Sequence, residues 1–485
     1  KYSNDSNSYD DFDYAVNVLG ADIVETTGKF KHDKNIGYIP DMHSHTKNSH
    51  DAVSDPDELC KMNIERGVNG CAFTDHCDIG LYGTMDMYAN IIESFKDAYA
   101  LDYGLNVRRL PFHGEPFSLF RCDIPGLATS NYLVLNDSFY AQVNEPNLPK
   151  GVIICSLSEA FKQHADLIKP YLSQMNISNS DMALNTLLAQ DGMFIYIPDG
   201  VQLEKPIQLV NLMYGKVDMM AVSQNLAIIG ENAKAQVLVC DHAYGEEVNY
   251  LSNRLTQVFV GKNSTYEHYK LESSSAKTTN ISTLQIYQEE GSQVLSNLIT
   301  LANGKTHNRV EANLNGKGAY LSLNGLGLGQ DSEKIENHTF INHNVAGATS
   351  NELFKYILND NSVGDFYGLI KVLKDAQQTQ AYQTNRNLCL SKEARMHTRP
   401  QLEIYADDVK CNHGATVGQL DENALFYMRA RGIDPQEGRM LLMFAFVHDV
   451  LDNVRIEPLK DRLQLLIERR LRGDNSHCSG CKICR

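Results

Sequence analysis

The chain has 485 residues, 42% of them apolar, and a formal net charge of −16. That length leaves room for about two to four domains. The acidic balance argues against a general nucleic-acid binder, which needs a concentrated basic surface to displace counterions. The longest apolar run, Met440 to Val447, is far shorter than the roughly 18 residues of a membrane span, and no apolar export segment follows Lys1. Eleven scattered cysteines are too few for a disulfide framework. The expectation is a cytoplasmic protein with no membrane or nucleic-acid partner.

The first hundred residues carry 8 Lys and Arg against 18 Asp and Glu, a net of −10, which leaves −6 for all the rest and marks them as a separate unit. Up to about residue 38 the text is rich in Asn, Ser, Asp and Tyr and reads as a weakly ordered lead-in. Then come Asp41-Met42-His43-Ser44-His45, His50-Asp51 and Thr74-Asp75-His76-Cys77-Asp78. Between them Asp55-Pro56-Asp57-Glu58 opens a helix, and Gly70 to Thr74 reads as a short buried strand. Histidines at the carboxyl ends of successive parallel strands converge, which is how α/β barrels collect metal ligands. Residues 38–100 resemble the opening of PHP-family phosphoesterases of the histidinol-phosphatase type. The resemblance implies a divalent metal held by His43, His45, His50 and His76. That family also needs histidines and an Asp-x-His from later strands, and the likeness fades near Ala100. Residues 1–101 are therefore expected to be an acidic lead-in and a small α/β fragment, incomplete as a catalyst.

Residues 102–191 are mixed. Val134, Leu135 and Phe139 indicate strands, while Ser158 to Leu172 and Ser180 to Gln190 have helical spacing. From Gly192 to Gly418 short alternating runs recur, among them Met193 to Pro198, Gln236 to Val239, Gln257 to Val260, Leu284 to Tyr287, Val294 to Leu301 and Tyr320 to Leu323. Turns at Gly261-Lys262-Asn263, Glu290-Gly291-Ser292 and Asn315-Gly316-Lys317-Gly318 separate them. The absence of long helices here excludes a doubly wound sheet; a sandwich, a barrel and a solenoid remain open.

The segment Arg399 to Gly418 ends this region. Leu402, Ile404 and Ala406 alternate at a strand's period, and the run is expected to break into a Gly-bounded turn carrying Cys411 and His413. Two residues apart, the thiol and imidazole leave one face, and as soft or borderline ligands they suit iron, zinc or sulfur better than magnesium or calcium. The paired Asp407-Asp408 point to opposite faces of a strand and do not make a glycosidase pair.

The text TRPQLEIYADDVKCNHGATVGQLDENALFYMRARGI, Thr398 to Ile433, resembles the SufD component of the Suf iron–sulfur cluster assembly scaffold, as does Asn131 to Ser138. His413-Gly-Ala-Thr416 stands where the paralogous SufB component reads HEAT. The resemblance spans about residues 102–474 and implies a mainly β fold, with a right-handed parallel β-helix over 192–418. Flanking helical regions are expected to cap its two ends. It also implies that Cys411 and His413 lie near an interface with SufB and help to build a transient iron–sulfur cluster, or to hold iron.

After Gly418 the period is helical. Asp421-Glu422-Asn423 caps one helix, which closes at Gly432, and Asp434-Pro435 opens a second, expected to be buried from Leu441 to Val447. In a third, Leu459, Leu463, Leu466, Ile467 and Leu471 form one stripe opposite Arg462, Arg469 and Arg470. The resemblance gives this 419–474 domain a docking surface for the ATPase SufC. The tail, 475–485, places Cys478, Cys481 and Cys484 at Cys-x-x-Cys-x-x-Cys spacing, with His477 as an additional candidate ligand, a pattern able to wrap a metal or cluster.

No Gly-x-x-x-x-Gly-Lys-Ser/Thr phosphate loop occurs, so any ATP dependence is expected to come from a partner. The leading expectation is a non-catalytic SufD-like scaffold acting with a SufB-like paralogue and a SufC-like ATPase, with a homodimer as the other pairing. The alternative is a metal-dependent phosphoesterase using the N-terminal histidines.

Overall fold

The computed structural model describes residues 124–141, 148–215, 218–244 and 248–473, together with short backbone strands at 40–44 and 70–73. The chain divides into two units, residues 1–108 and 109–485. In the first, β1 (Pro40–Ser44) and β2 (Gly70–Phe73) pair in parallel, Pro40 opposite Gly70 and Asp41 opposite Cys71. This agrees with the strand pair read from the sequence and places His43 on β1. His45, His50 and His76 lie outside the described residues, as do His477, Cys478, Cys481 and Cys484.

The second unit is a parallel β-solenoid. Its strands are β3 (Ser130–Leu135), β4 (Ser138–Ala141), β5 (Ile153–Ser156), β6 (Met193–Ile197), β7 (Ile207–Tyr214), β8 (Met219–Ile229), β9 (Lys234–Tyr244), β10 (Tyr250–Val260), β11 (Thr265–Ser273), β12 (Thr278–Gln288), β13 (Gln293–Ala302), β14 (Lys305–Leu314), β15 (Tyr320–Gly329), β16 (Lys334–His343), β17 (Thr349–Leu358), β18 (Val363–Val372), β19 (Gln380–Cys389), β20 (Arg395–Ile404) and β21 (Lys410–Gly418). One wall runs β20-β18-β16-β14-β12-β10-β8-β6-β5, the other β21-β19-β17-β15-β13-β11-β9-β7-β3-β4. Among the described residues only β3–β4 and β5–β6 pair antiparallel, at the amino-terminal end.

Alternation builds the interior, because every second residue points inward. Val258, Leu284, Ile286, Val294, Val310, Leu321, Ile341, Phe354 and Ile370 form one continuous core through the coils. The repeated corner before each odd strand from β9 to β19 needs a left-handed residue. Asn232, Asn263, Gly291, Gly318, Gly347 and Gln378 all have positive φ there, and three of these corners are the turns read from the sequence.

The helices do not cap the coil ends as expected; they cover its flanks. α1 (Leu157–Gln163), α2 (Ala165–Leu172) and α3 (Ser180–Leu188) lie near the amino-terminal coils, and Leu157, Ala160 and Ile168 pack on the outward residues Phe194, Leu226, Phe259 and Tyr287. The single helix expected over Ser158 to Leu172 is broken at His164, whose backbone leaves the helical region. At the other end of the chain are α4 (Glu422–Ala430), α5 (Pro435–Leu451) and α6 (Glu457–Leu471), with Asp421 and Asp434 capping the first two by accepting backbone N–H bonds.

Met443, Val447, Val450, Leu463 and Ile467 bury against Leu271, Leu295, Ile299 and Leu328 on the outer face of the odd-numbered wall. Lys355 Nζ donates to Phe446 O and to Asp449, both at 2.6 Å, pinning α5 to β17. Two expectations for this domain change. Leu441 is exposed, because only one side of α5 meets the solenoid. Arg470, expected opposite the apolar stripe, is buried, where it donates to both oxygens of Glu333. Among the described residues no helix is long and apolar enough to cross a membrane.

Candidate functional site

The carboxyl-terminal end of the solenoid is open. β20 and β21 are the last strands of their walls, and among the described residues nothing pairs with the outer edge of either. β21 is exposed along its length apart from half-buried Cys411, and Ile404, Tyr405 and Val417 are large apolar residues left exposed beside it. Such an edge presents unpaired backbone groups and is a ready template for another chain.

Cys411 and His413 sit on this strand, not in the turn expected of them; the turn falls at Tyr405 to Val409. The strand continues through Gly414 because β19 holds it, with Ala381 opposite Cys411 and Gln383 opposite His413. Their two-residue spacing puts both side chains on one face, as expected. Cys411 packs against the interior core, whereas His413 is exposed. Burial pushes the Cys411 thiol above its ordinary range, partly offset by a hydrogen bond from the Ala381 N–H. Burial thus favours the Cys411 thiol over the thiolate, and a metal that binds there must displace the proton.

Beneath them the interior turns polar. Glu352, on β17, stands opposite Gln383, which stands opposite His413, so the three occupy one column of the odd-numbered wall. Gln383 Nε2 donates to Glu352 Oε2 at 2.7 Å. Burial pushes the Glu352 carboxyl up to about 7 despite the hydrogen bond it accepts from Gln383. Sequence reading passed over this pair. The available signal was parity: Ser350, Glu352, Phe354 and Tyr356 share the inward face, and a carboxylate there is out of place.

Among the described residues no three His, Cys, Asp or Glu side chains converge to hold a metal. Cys411 and His413 remain two donors at an open edge.

Residues 212–446 match the SufBD core domain of the SUF system for iron–sulfur cluster assembly, and residues 84–209 match the SufBD protein N-terminal region. The chain is 31% identical to the iron–sulfur cluster assembly protein SufD of Escherichia coli over 294 residues, 60% of this chain and 69% of that protein. It is 30% identical over 364 residues to a SufBD family protein of Synechocystis, covering 72% of this chain and 79% of the relative. The chain belongs to the SufBD family of iron–sulfur cluster assembly proteins. The SufD protein of Bacillus subtilis is 28% identical over 331 residues, 67% of this chain and 75% of that relative. The same chain carries a third match, to the PHP domain, over residues 41–109. Its role in iron–sulfur cluster assembly follows from the family, and the parallel solenoid agrees with the fold the resemblance implied.

Proposed function

We propose that this chain is a non-catalytic, SufD-like subunit of the assembly scaffold, working in the cytoplasm with a SufB-like paralogue and a SufC-like ATPase. In this reading the paralogue covers the open edge of β21, and Cys411 and His413 help to assemble iron and sulfide between the two chains. One observation carries it: a sulfur and a nitrogen donor project from the same face of a terminal strand with one unpaired edge, with too few neighbouring ligands among the described residues to complete a metal site. A β-strand edge supplies backbone hydrogen bonds for the partner, while exposed Tyr405 and Val417 supply apolar contact. The ATPase docks on the exposed side of the carboxyl-terminal helices, where Phe426, Tyr427 and Leu441 are open.

The test is anaerobic reconstitution of the three-protein complex, followed by iron and sulfide analysis. His413→Ala and Cys411→Ser are expected to lower cluster yield at least several-fold while the complex still forms. Unchanged yield in both variants overturns the assignment.

A second reading rests on the PHP match. In it His43, His45, His50 and His76 hold divalent metal ions that activate water for phosphoester hydrolysis. Manganese-dependent phosphatase activity of the purified chain, lost in His45→Ala, is its signature; no activity with manganese or zinc removes it.

A further inference from the structure

We propose that Glu352 and Gln383 are positioning residues for His413: the Glu352 carboxylate holds the Gln383 amide nitrogen inward, so that Gln383 Oε1 accepts the ring N–H of His413 and leaves the other ring nitrogen for a metal ion. This deepens the reading of Cys411 and His413 given above and rests on it for the identity of the metal.

The geometry begins with register. Glu352, Gln383 and His413 are consecutive partners across β17, β19 and β21, so their side chains stack on the inward face at the strand spacing of about 4.8 Å. Glu352 is 3% exposed and Gln383 is fully buried. An ionised carboxylate only accepts, so it dictates which end of the amide faces it. The bond from Gln383 Nε2 to Glu352 Oε2 obeys that rule.

Gly368, on the opposite wall, makes the orientation feasible, since a Cβ there would stand 2.2 Å from Gln383 Nε2. With its nitrogen committed, Gln383 has one group to offer elsewhere, and Oε1 is buried without a hydrogen-bond partner. A buried orphan acceptor is costly unless something fills it. The next residue of the column is His413, a donor when its ring carries a proton.

Histidines that bind metals generally donate the second ring N–H to an acceptor, which fixes tautomer and ring orientation. Packing alone does not call for Glu352: the same column position one coil inward is Leu323, so an apolar side chain fits this interior.

The experiment uses the full chain, metal-free, with ring-15N histidine, and assigns His413 by subtracting the spectrum of His413→Asn. Wild-type protein is expected to show one dominant His413 tautomer at about pH 8.5, where the Glu352 carboxyl, pushed up to about 7, is ionised. Gln383→Leu should convert it to the mixture seen for unconstrained imidazole, and Glu352→Gln, which lets the Gln383 amide turn either way, should give an intermediate mixture. Glu352→Gln preserves side-chain size, and an unchanged backbone amide spectrum confirms that its fold is intact. Identical tautomer populations in wild type and both variants overturn the proposal. Because no metal enters the measurement, that outcome leaves the cluster assignment standing, and a failed reconstitution leaves this hydrogen-bond chain standing.

Discussion

Two stretches of the same interior surround their buried carboxylates differently. In the middle coils Asp241 lies between Lys270, at 3.5 Å, and Arg254, at 3.7 Å, and accepts from Asn211. Burial by itself would raise its carboxyl, but the two cations and the amide donors hold it below the ordinary range. Glu272 beside it accepts from Asn280, Thr300, Asn303 and Thr306. In the terminal coils Glu352 has no cation, Gln383 supplies its one short hydrogen bond, and Glu352 Oε1 is left unpaired. A carboxylate ringed by cations or several donors fixes structure, whereas one with a single donor next to an open edge holds bonding capacity in reserve for something that arrives later.

The contrast can be broken most severely in the middle. Arg254→Met leaves Asp241 short of a buried counter-charge and is expected to cost about 3–5 kcal/mol, read as a lower midpoint in urea unfolding.

Glu352→Gln should act in the opposite direction. The folded carboxyl titrates near 7, above the ordinary 4.5, so its burial weakens the fold progressively as pH rises from about 4.5 to 7. The variant is therefore expected to be more stable by up to about 3 kcal/mol at pH 8 and equal to wild type near pH 4. A wild-type stability curve that is flat across that window would contradict the burial of an ionising group.

Gly368→Ala pushes on both Gln383 and Phe366 and should cost about 1–3 kcal/mol, with the Gln383–Glu352 bond displaced. The smallest effect is expected at the edge itself. His413 is exposed, so His413→Ala should cost no more than about 1 kcal/mol, the worth of its hydrogen bond to Gln383, while cluster yield falls, separating function from folding.

Much of this was legible in the sequence because solenoid coils are written locally. Alternation marks each strand, and Gly or Asn in the corners marks each turn, so the runs at Gln257, Leu284 and Val294 could be placed without knowing their neighbours. The joint face of Cys411 and His413 followed from a spacing of two.

What escaped depends on register across about 30 residues, which no local pattern encodes. The column of Glu352, Gln383 and His413 exists only because three coils stack with offsets of 31 and 30 residues. The same blindness explains Arg470, polar by helical spacing yet buried against Glu333, and Leu441, apolar yet exposed. The Gly414 that suggested a turn is carried through the strand by its pairing with Thr384.

Amide hydrogen exchange along β21, in the chain alone and after anaerobic addition of a SufB-like paralogue, tests the shared-site reading most directly. Protection gained at Lys410–Gly418, with β8 and β9 unchanged, is the predicted result. A complex that forms while β21 exchanges as fast as before would put the partner elsewhere and contradict it.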